Sequence, residues 1–92
     1  MIKKYSSMAQ ILDSPIEEVA LELEKLTYGE LTNFKKMLEM QYLELEYTKE
    51  NLKELDSKEA DTLIEEFYIL LQKVEDIARI TEELKKQKEV KI

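Results

Sequence analysis

The sequence predicts an all-α protein in which a short N-terminal helical pair packs on a long antiparallel two-helix hairpin of coiled-coil type. The stretch from Lys58 to Lys88 contains neither Gly nor Pro. Its apolar residues recur every three or four positions, which keeps them on one face of a helix. This stripe comprises Leu63, Phe67, Leu70, Val74, Ile77, Thr81 and Leu84. The chain has 92 residues, so we expect one small domain, residues 1–92.

Capping residues predict where four helices begin. A Ser, Thr or Asp side chain accepts a hydrogen bond from a free amide of the first turn, and a Glu or Gln three residues later bonds back. The pairs are Ser7 with Gln10, Ser14 with Glu17, Thr27 with Glu30 and Asp56 with Glu59. We therefore predict the short pair within residues 7–26, the long helices over residues 30–55 and 58–88, and a tail over residues 89–92.

The third helix carries the stripe that should face the fourth. Its members are Leu31, Phe34, Leu38, Tyr42, Leu45 and Leu52. Gln41 and Thr48 lie on the same side, and we expect them to be the polar interruptions that fix the helix register. At 1.5 Å per residue the long helices approach about 40 Å, which predicts an elongated molecule.

Both long helices have more apolar surface than one seam can cover. Met40, Leu43 and Tyr47 form a second patch on the third helix, at spacing i, i+3 and i+7. Tyr68, Ile69 and Ile80 lie outside the main stripe of the fourth helix. The short helices are expected to reach only the open end of the hairpin. The first patch is then either buried beneath those helices or used as a protein interface, for example in a four-helix bundle formed by dimerisation.

Composition argues against most kinds of chemistry. The chain has no Cys and no His, which removes the ligands of zinc and di-iron sites, and its single Gly cannot build a phosphate-binding loop. The paired carboxylates of helical nucleotide pyrophosphohydrolases do not appear. We expect a protein with no enzymatic activity and no cofactor. No apolar run is long enough to span a membrane, and the first residues lack the apolar segment of a signal peptide, so a cytoplasmic location is expected.

Charge is distributed unevenly along a chain of net charge −7, which disfavours broad attraction to nucleic acid. Residues 56–84 carry a net charge of −6, whereas residues 85–92 carry +3. The lysines that could contact a nucleic-acid backbone at this basic end are Lys3, Lys4, Lys85, Lys86, Lys88 and Lys91. Basic residues in the last turn of a helix also complement its dipole.

The segment from Met8 to Leu26, MAQILDSPIEEVALELEKL, combines a short helix, an Asp-Ser-Pro turn and a second amphipathic helix. It resembles the first two helices of helix-turn-helix and winged-helix domains, and the resemblance implies a DNA-binding role. The second helix departs from that expectation, because its acidic residues would repel phosphates. The alternative is a helical cap that closes the open end of the hairpin.

The leading functional hypothesis is a non-enzymatic protein–protein interaction module, an accessory subunit or regulator that pairs with itself or with a larger protein through apolar helix faces. Its predicted interface residues are Met40, Leu43, Tyr47, Tyr68, Ile69 and Ile80. The alternative is a nucleic-acid-associated factor that uses the basic end and dimerises through the hairpin. A helical hydrolase ranks third.

Overall fold

The computed structural model describes residues 4–89, and in this range the chain is all-helical. The four helices are α1 (Met8–Asp13), α2 (Ile16–Glu24), α3 (Tyr28–Lys53) and α4 (Lys58–Glu89). The two long helices, α3 and α4, pack against each other as the predicted hairpin. The radius of gyration is 15.0 Å and the principal extents are 54 × 20 × 17 Å. A compact chain of this length would have a radius of gyration of about 12 Å, so the expected elongation is confirmed.

Two of the four predicted caps are where the sequence placed them. The Ser7 hydroxyl accepts from the amide of Gln10, at 3.3 Å. The reciprocal half of that box is missing, because the Gln10 side chain bonds Ser6 instead. Thr27 and Glu30 form a complete capping box at the start of α3, with bonds of 3.1 and 3.0 Å.

The other two caps were assigned to the wrong residue. Ser14 ends α1 rather than starting α2: its hydroxyl donates to the carbonyl of Gln10, and Pro15 occupies the N-cap position of α2 without a side-chain bond. At α4 the capping hydroxyl belongs to Ser57, which accepts from the amide of Ala60 at 3.1 Å. Asp56 is the turn residue, at φ 45°, because the reversal between α3 and α4 needs a left-handed residue there.

The seam between α3 and α4 contains most of the predicted stripe residues. Those with less than a tenth of their surface exposed are Leu31, Phe34, Leu38 and Leu45 on α3, and Val74, Ile77 and Thr81 on α4. The stripe weakens towards the turn, where Leu63 is 43% exposed. Leu71, beside the α4 stripe, is buried as well.

The buried polar residue on the α3 side of the seam is Lys49, not Gln41 or Thr48. Lys49 is only 8% exposed, whereas Gln41 is half-buried and Thr48 is exposed. The aliphatic stem of Lys49 occupies the seam, and its ammonium lies 4.2 Å from the centroid of the Tyr68 ring on α4. An aromatic face attracts a cation, which makes this burial tolerable.

The short helices pack on α4 and cover one side of the hairpin. Their buried residues are Ile11, Leu12, Val19 and Leu23, followed by Leu26 just after α2. The cover extends further than expected from the open end. Ala9 and Leu12 of α1 line a depression together with Leu45 and Leu70, in the middle of the long helices.

Candidate protein-interaction surface

The patch on α3 is exposed, not buried beneath the short helices. Met40, Leu43 and Tyr47 are 63%, 68% and 71% exposed. Their spacing places them on one face of α3, turned away from the seam. Of the two alternatives that the sequence left open, burial under the N-terminal helices is therefore excluded. We call these three residues the α3 patch.

An apolar groove runs beside the α3 patch, between α3 and α4. It has a volume of about 290 Å³, and its lining residues are Leu38, Glu39, Tyr42, Leu43, Val74, Glu75 and Ala78. Leu43 belongs both to the groove and to the α3 patch, so the two surfaces are continuous. Ala78 explains the space, because its small side chain leaves room where a larger residue would fill the seam.

The groove opens on the side of the hairpin that α1 does not cover. On α3, Gln41 and Tyr42 flank the seam on opposite sides, as expected for adjacent positions on a helix. Gln41 lines the depression beside α1, and Tyr42 lines the groove. The two long helices therefore present one covered and one open side.

Carboxylates surround the groove and the α3 patch. Glu39 and Glu75 line the groove, while Glu44 and Glu46 line the adjoining surface around Leu43 and Tyr47. None of these four takes part in the ion pairs found within residues 4–89. Those pairs join Glu22 with Lys25, Glu82 with Lys35 and Lys85, Glu50 with Lys53, and Asp76 with Arg79. The rim of the groove is thus rich in carboxylates, although Lys35 attracts Glu39 and Lys53 attracts Glu46 at longer range than an ion pair.

Two polar contacts cross the hairpin on its open side. The Tyr42 hydroxyl donates to a carboxylate oxygen of Glu75 at 3.1 Å. This bond, with smaller contributions from burial and from Glu46, raises the pKa of Tyr42 to about 12, because a phenolate could not donate to a carboxylate. Nearer the open end, Lys35 and Glu82 are 2.5 Å apart, and their hydrogen bond raises the pKa of Lys35 and lowers that of Glu82. Both contacts join α3 to α4, and the Tyr42–Glu75 bond does so between the two walls of the groove.

The three other predicted interface residues lie on α4 and differ in how exposed they are. Tyr68 is 52% exposed and lies on the open side, where its ring contacts Lys49. Ile69, the next residue on α4 after Tyr68, is 70% exposed. Ile80 is half-buried and packs against the hydrophobic core.

The lysines of the basic end differ in how they are engaged. Lys88 donates to the backbone carbonyls of Glu24, at 2.9 Å, and Leu26, which ties the end of α4 to the end of α2. The ammonium of Lys85 lies 5.4 Å from the Tyr28 ring centroid. Lys4 is exposed near the ring of Tyr5, and Lys86 is exposed. Lys3 and Lys91 lie outside the described residues.

Within residues 4–89 there is no cluster of three or more His, Cys, Asp or Glu residues that could hold a metal ion. No helix in this range is both long enough and apolar enough to cross a lipid bilayer.

The fold and its exposed groove define the chain as an all-helical hairpin with a short N-terminal helical pair. Comparison of the sequence with protein-family models and with characterised proteins, and of the structure with solved structures, finds no significant match.

Proposed function

We propose that this protein is a non-enzymatic protein–protein interaction module, an accessory subunit or regulator that binds through the open side of its hairpin. The observation that supports this most directly is the α3 patch, in which three large apolar side chains stay more than three-fifths exposed. Tyr and Met are residue types enriched at the centres of protein interfaces. The adjoining groove gives a partner side chain a concave place to bury.

Burial of one large apolar side chain contributes about 1.5–3 kcal/mol. The α3 patch does not receive that contribution from this chain's own described helices. A partner that covers the patch would supply it. The partner is a second copy of the chain, which would form a homodimer, or a larger protein.

The test compares two double variants of similar chemistry. Leu43→Glu with Tyr47→Glu places two charges in the α3 patch. Leu55→Glu with Leu63→Glu places two charges at the hairpin turn, on residues that are 64% and 43% exposed. Helical content is measured by circular dichroism, mass in solution by light scattering over a range of concentrations, and capture of other proteins by chemical cross-linking.

We expect both variants to remain helical and only the α3 patch variant to lose association. For self-association, the loss is a change from about twice the 11.0 kDa chain mass to the chain mass. For a larger partner, it is the disappearance of a cross-linked species that the turn variant retains. Association that survives in the α3 patch variant would refute the proposal.

The nucleic-acid hypothesis has no comparable support among the described residues. Lys88 and Lys85, two of its predicted contacts, are engaged within the fold by carbonyl groups and by an aromatic ring.

A further inference from the structure

We infer that the open side of the hairpin binds a basic amphipathic helix of another protein, with apolar residues in the groove and on the α3 patch and Lys or Arg beside the carboxylate rim. This inference rests on the proposed function and specifies the chemistry of the partner. Three properties of the surface support it: its shape, its charge and its length.

The shape suits a helix with an apolar face. The groove between α3 and α4 provides an apolar floor formed by Leu38, Val74 and Ala78. An amphipathic helix binds such a groove through side chains spaced i, i+3 or i+4 and i+7. Leu43, at the edge of the floor, would contact the same apolar face from the side.

The charge selects a basic partner. Glu39, Glu44, Glu46 and Glu75 surround the apolar surface, and none lies within ion-pair distance of a cation among the described residues. Lys35 attracts Glu39 and Lys53 attracts Glu46 only at longer range. Positive side chains that flank an apolar stripe would meet these carboxylates on both sides of the groove. Complementary charge of this kind accelerates association and rejects partners of the wrong sign.

The same charge disfavours a second copy of this chain on this surface. A symmetric dimer places identical surfaces against each other, so the rim carboxylates of both copies would be brought into one interface. Like charges brought together in this way oppose association. The whole chain carries a net charge of −7, which adds to the repulsion.

The length of the surface sets the length of the partner segment. From Leu38 to Glu50 the surface extends along α3 for about 18 Å, at 1.5 Å per residue. A helix of about 12 to 14 residues matches this distance.

The probe for the test is a synthetic helical peptide of about 14 residues, with Leu at spacing i, i+3, i+4 and i+7 and Lys at the remaining positions. Two control peptides accompany it. One has the same composition with Leu distributed around the helix, and the other has Glu in place of Lys. Binding to the full chain is measured by isothermal titration calorimetry at low and moderate salt.

Matched variants separate the groove from general acidity. Leu43→Ser is compared with Leu55→Ser, since these leucines are 68% and 64% exposed. Glu39→Gln with Glu46→Gln is compared with Glu65→Gln and Glu83→Gln, which removes the same charge from exposed residues on the outer face of α4.

We expect Leu43→Ser to weaken binding of the Leu/Lys peptide about tenfold, and Glu39→Gln with Glu46→Gln about fivefold. Both control variants should stay within about twofold of the unmodified chain. The peptide with distributed Leu and the peptide with Glu should bind at least about tenfold more weakly.

Three results would overturn the inference. They are absence of binding by the Leu/Lys peptide, equal effects of the groove and control variants, and equal binding of the Leu/Lys and Leu/Glu peptides. Light scattering on the free chain provides a further check. If a dimer forms and Leu43→Ser dissociates it, the occupant is a second copy; the inference then fails while the proposed function stands.

Discussion

The contact between Lys49 and Tyr68 predicts a measurable coupling between α3 and α4. The Lys49 ammonium lies 4.2 Å from the ring centroid, and Lys49 itself is only 8% exposed. Cation–π contacts contribute about 0.5–1 kcal/mol at exposed sites and about 2 kcal/mol where both groups are desolvated. Tyr68 is 52% exposed, so this pair lies between those cases, and we expect a coupling of about 1 kcal/mol.

A double-mutant cycle isolates that coupling from the other effects of each substitution. The variants are Lys49→Met, which preserves the aliphatic stem in the seam, Tyr68→Leu, and the two combined. Lys49→Met alone is a poor test, because it removes both the ring contact and the cost of burying a charge, and these oppose each other. The free energy of unfolding is measured by urea denaturation followed by circular dichroism.

The control cycle combines Lys49→Met with Tyr47→Leu. Tyr47 is two positions from Lys49 on the same helix, and side chains at that spacing do not face each other, so its coupling should be near zero. A Lys49–Tyr68 coupling below about 0.3 kcal/mol, or one no larger than in the control cycle, would refute the assignment of Tyr68 as the partner that stabilises the buried cation.

Three further predictions concern other contacts. Thr81→Val should change the free energy of unfolding by less than about 1 kcal/mol in urea denaturation. The Thr81 hydroxyl bonds only the carbonyl of Ile77 in its own helix, and that carbonyl also accepts a backbone hydrogen bond of the helix. Thr81→Ser removes a buried methyl group and should cost about 1 kcal/mol in the same assay. Lys88→Met should cost about 1–2 kcal/mol by the same assay, since two carbonyls lose a charged donor, whereas Lys86→Met should be nearly neutral. Tyr42→Phe should remove the tyrosinate absorbance step near pH 12, and Glu75→Gln should lower the pKa of Tyr42 while burial and Glu46 keep it above the ordinary tyrosine value.

Each of these has a clear contrary result. A Thr81→Val variant several kcal/mol less stable would mean that the hydroxyl has a role beyond its helix. If Lys88→Met and Lys86→Met lowered the free energy of unfolding equally, the hydrogen bonds of Lys88 to the end of α2 would be contradicted. For Tyr42, the folded pKa exceeds the unfolded value, so the hydrogen bond contributes fully below about pH 10 and its contribution disappears as pH rises through about 12. A tyrosinate titration unchanged by Tyr42→Phe would contradict that assignment.

The hairpin could be predicted because the spacing of apolar residues and the capping residues can be recognised within each helix separately. Apolar spacing of three and four identified the buried faces of α3 and α4, with Phe34 and Ile77 among the least exposed residues. The box of Thr27 and Glu30 was equally local. The caps at Ser14 and Asp56 were wrong by one residue, because in each turn a neighbouring residue could also occupy the cap position.

The features that could not be predicted from the sequence depend on contacts between side chains of different helices. Lys49 was overlooked because a lysine in a stripe position is tolerated only where its ammonium finds a partner, and Tyr68 is nineteen residues further along the chain. The groove was missed for the same reason, since Ala78 leaves a space only in relation to Leu38 on the other helix. The residues of the α3 patch were identified from spacing. Their exposure could be known only once α1 and α2 were found on the other side.

The uneven distribution of the core along the hairpin has a consequence for motion. Buried apolar residues concentrate where α1 and α2 cover α4, whereas near the turn Leu55 and Leu63 are 64% and 43% exposed. Amides near the turn should therefore exchange with solvent through partial opening, while those around Phe34 and Ile77 should require unfolding of the whole domain. The proposed binding surface lies between the part of the hairpin near the turn and the part around Phe34 and Ile77. A partner held there would slow exchange in the outer half of the hairpin and extend the cooperative unit towards the turn.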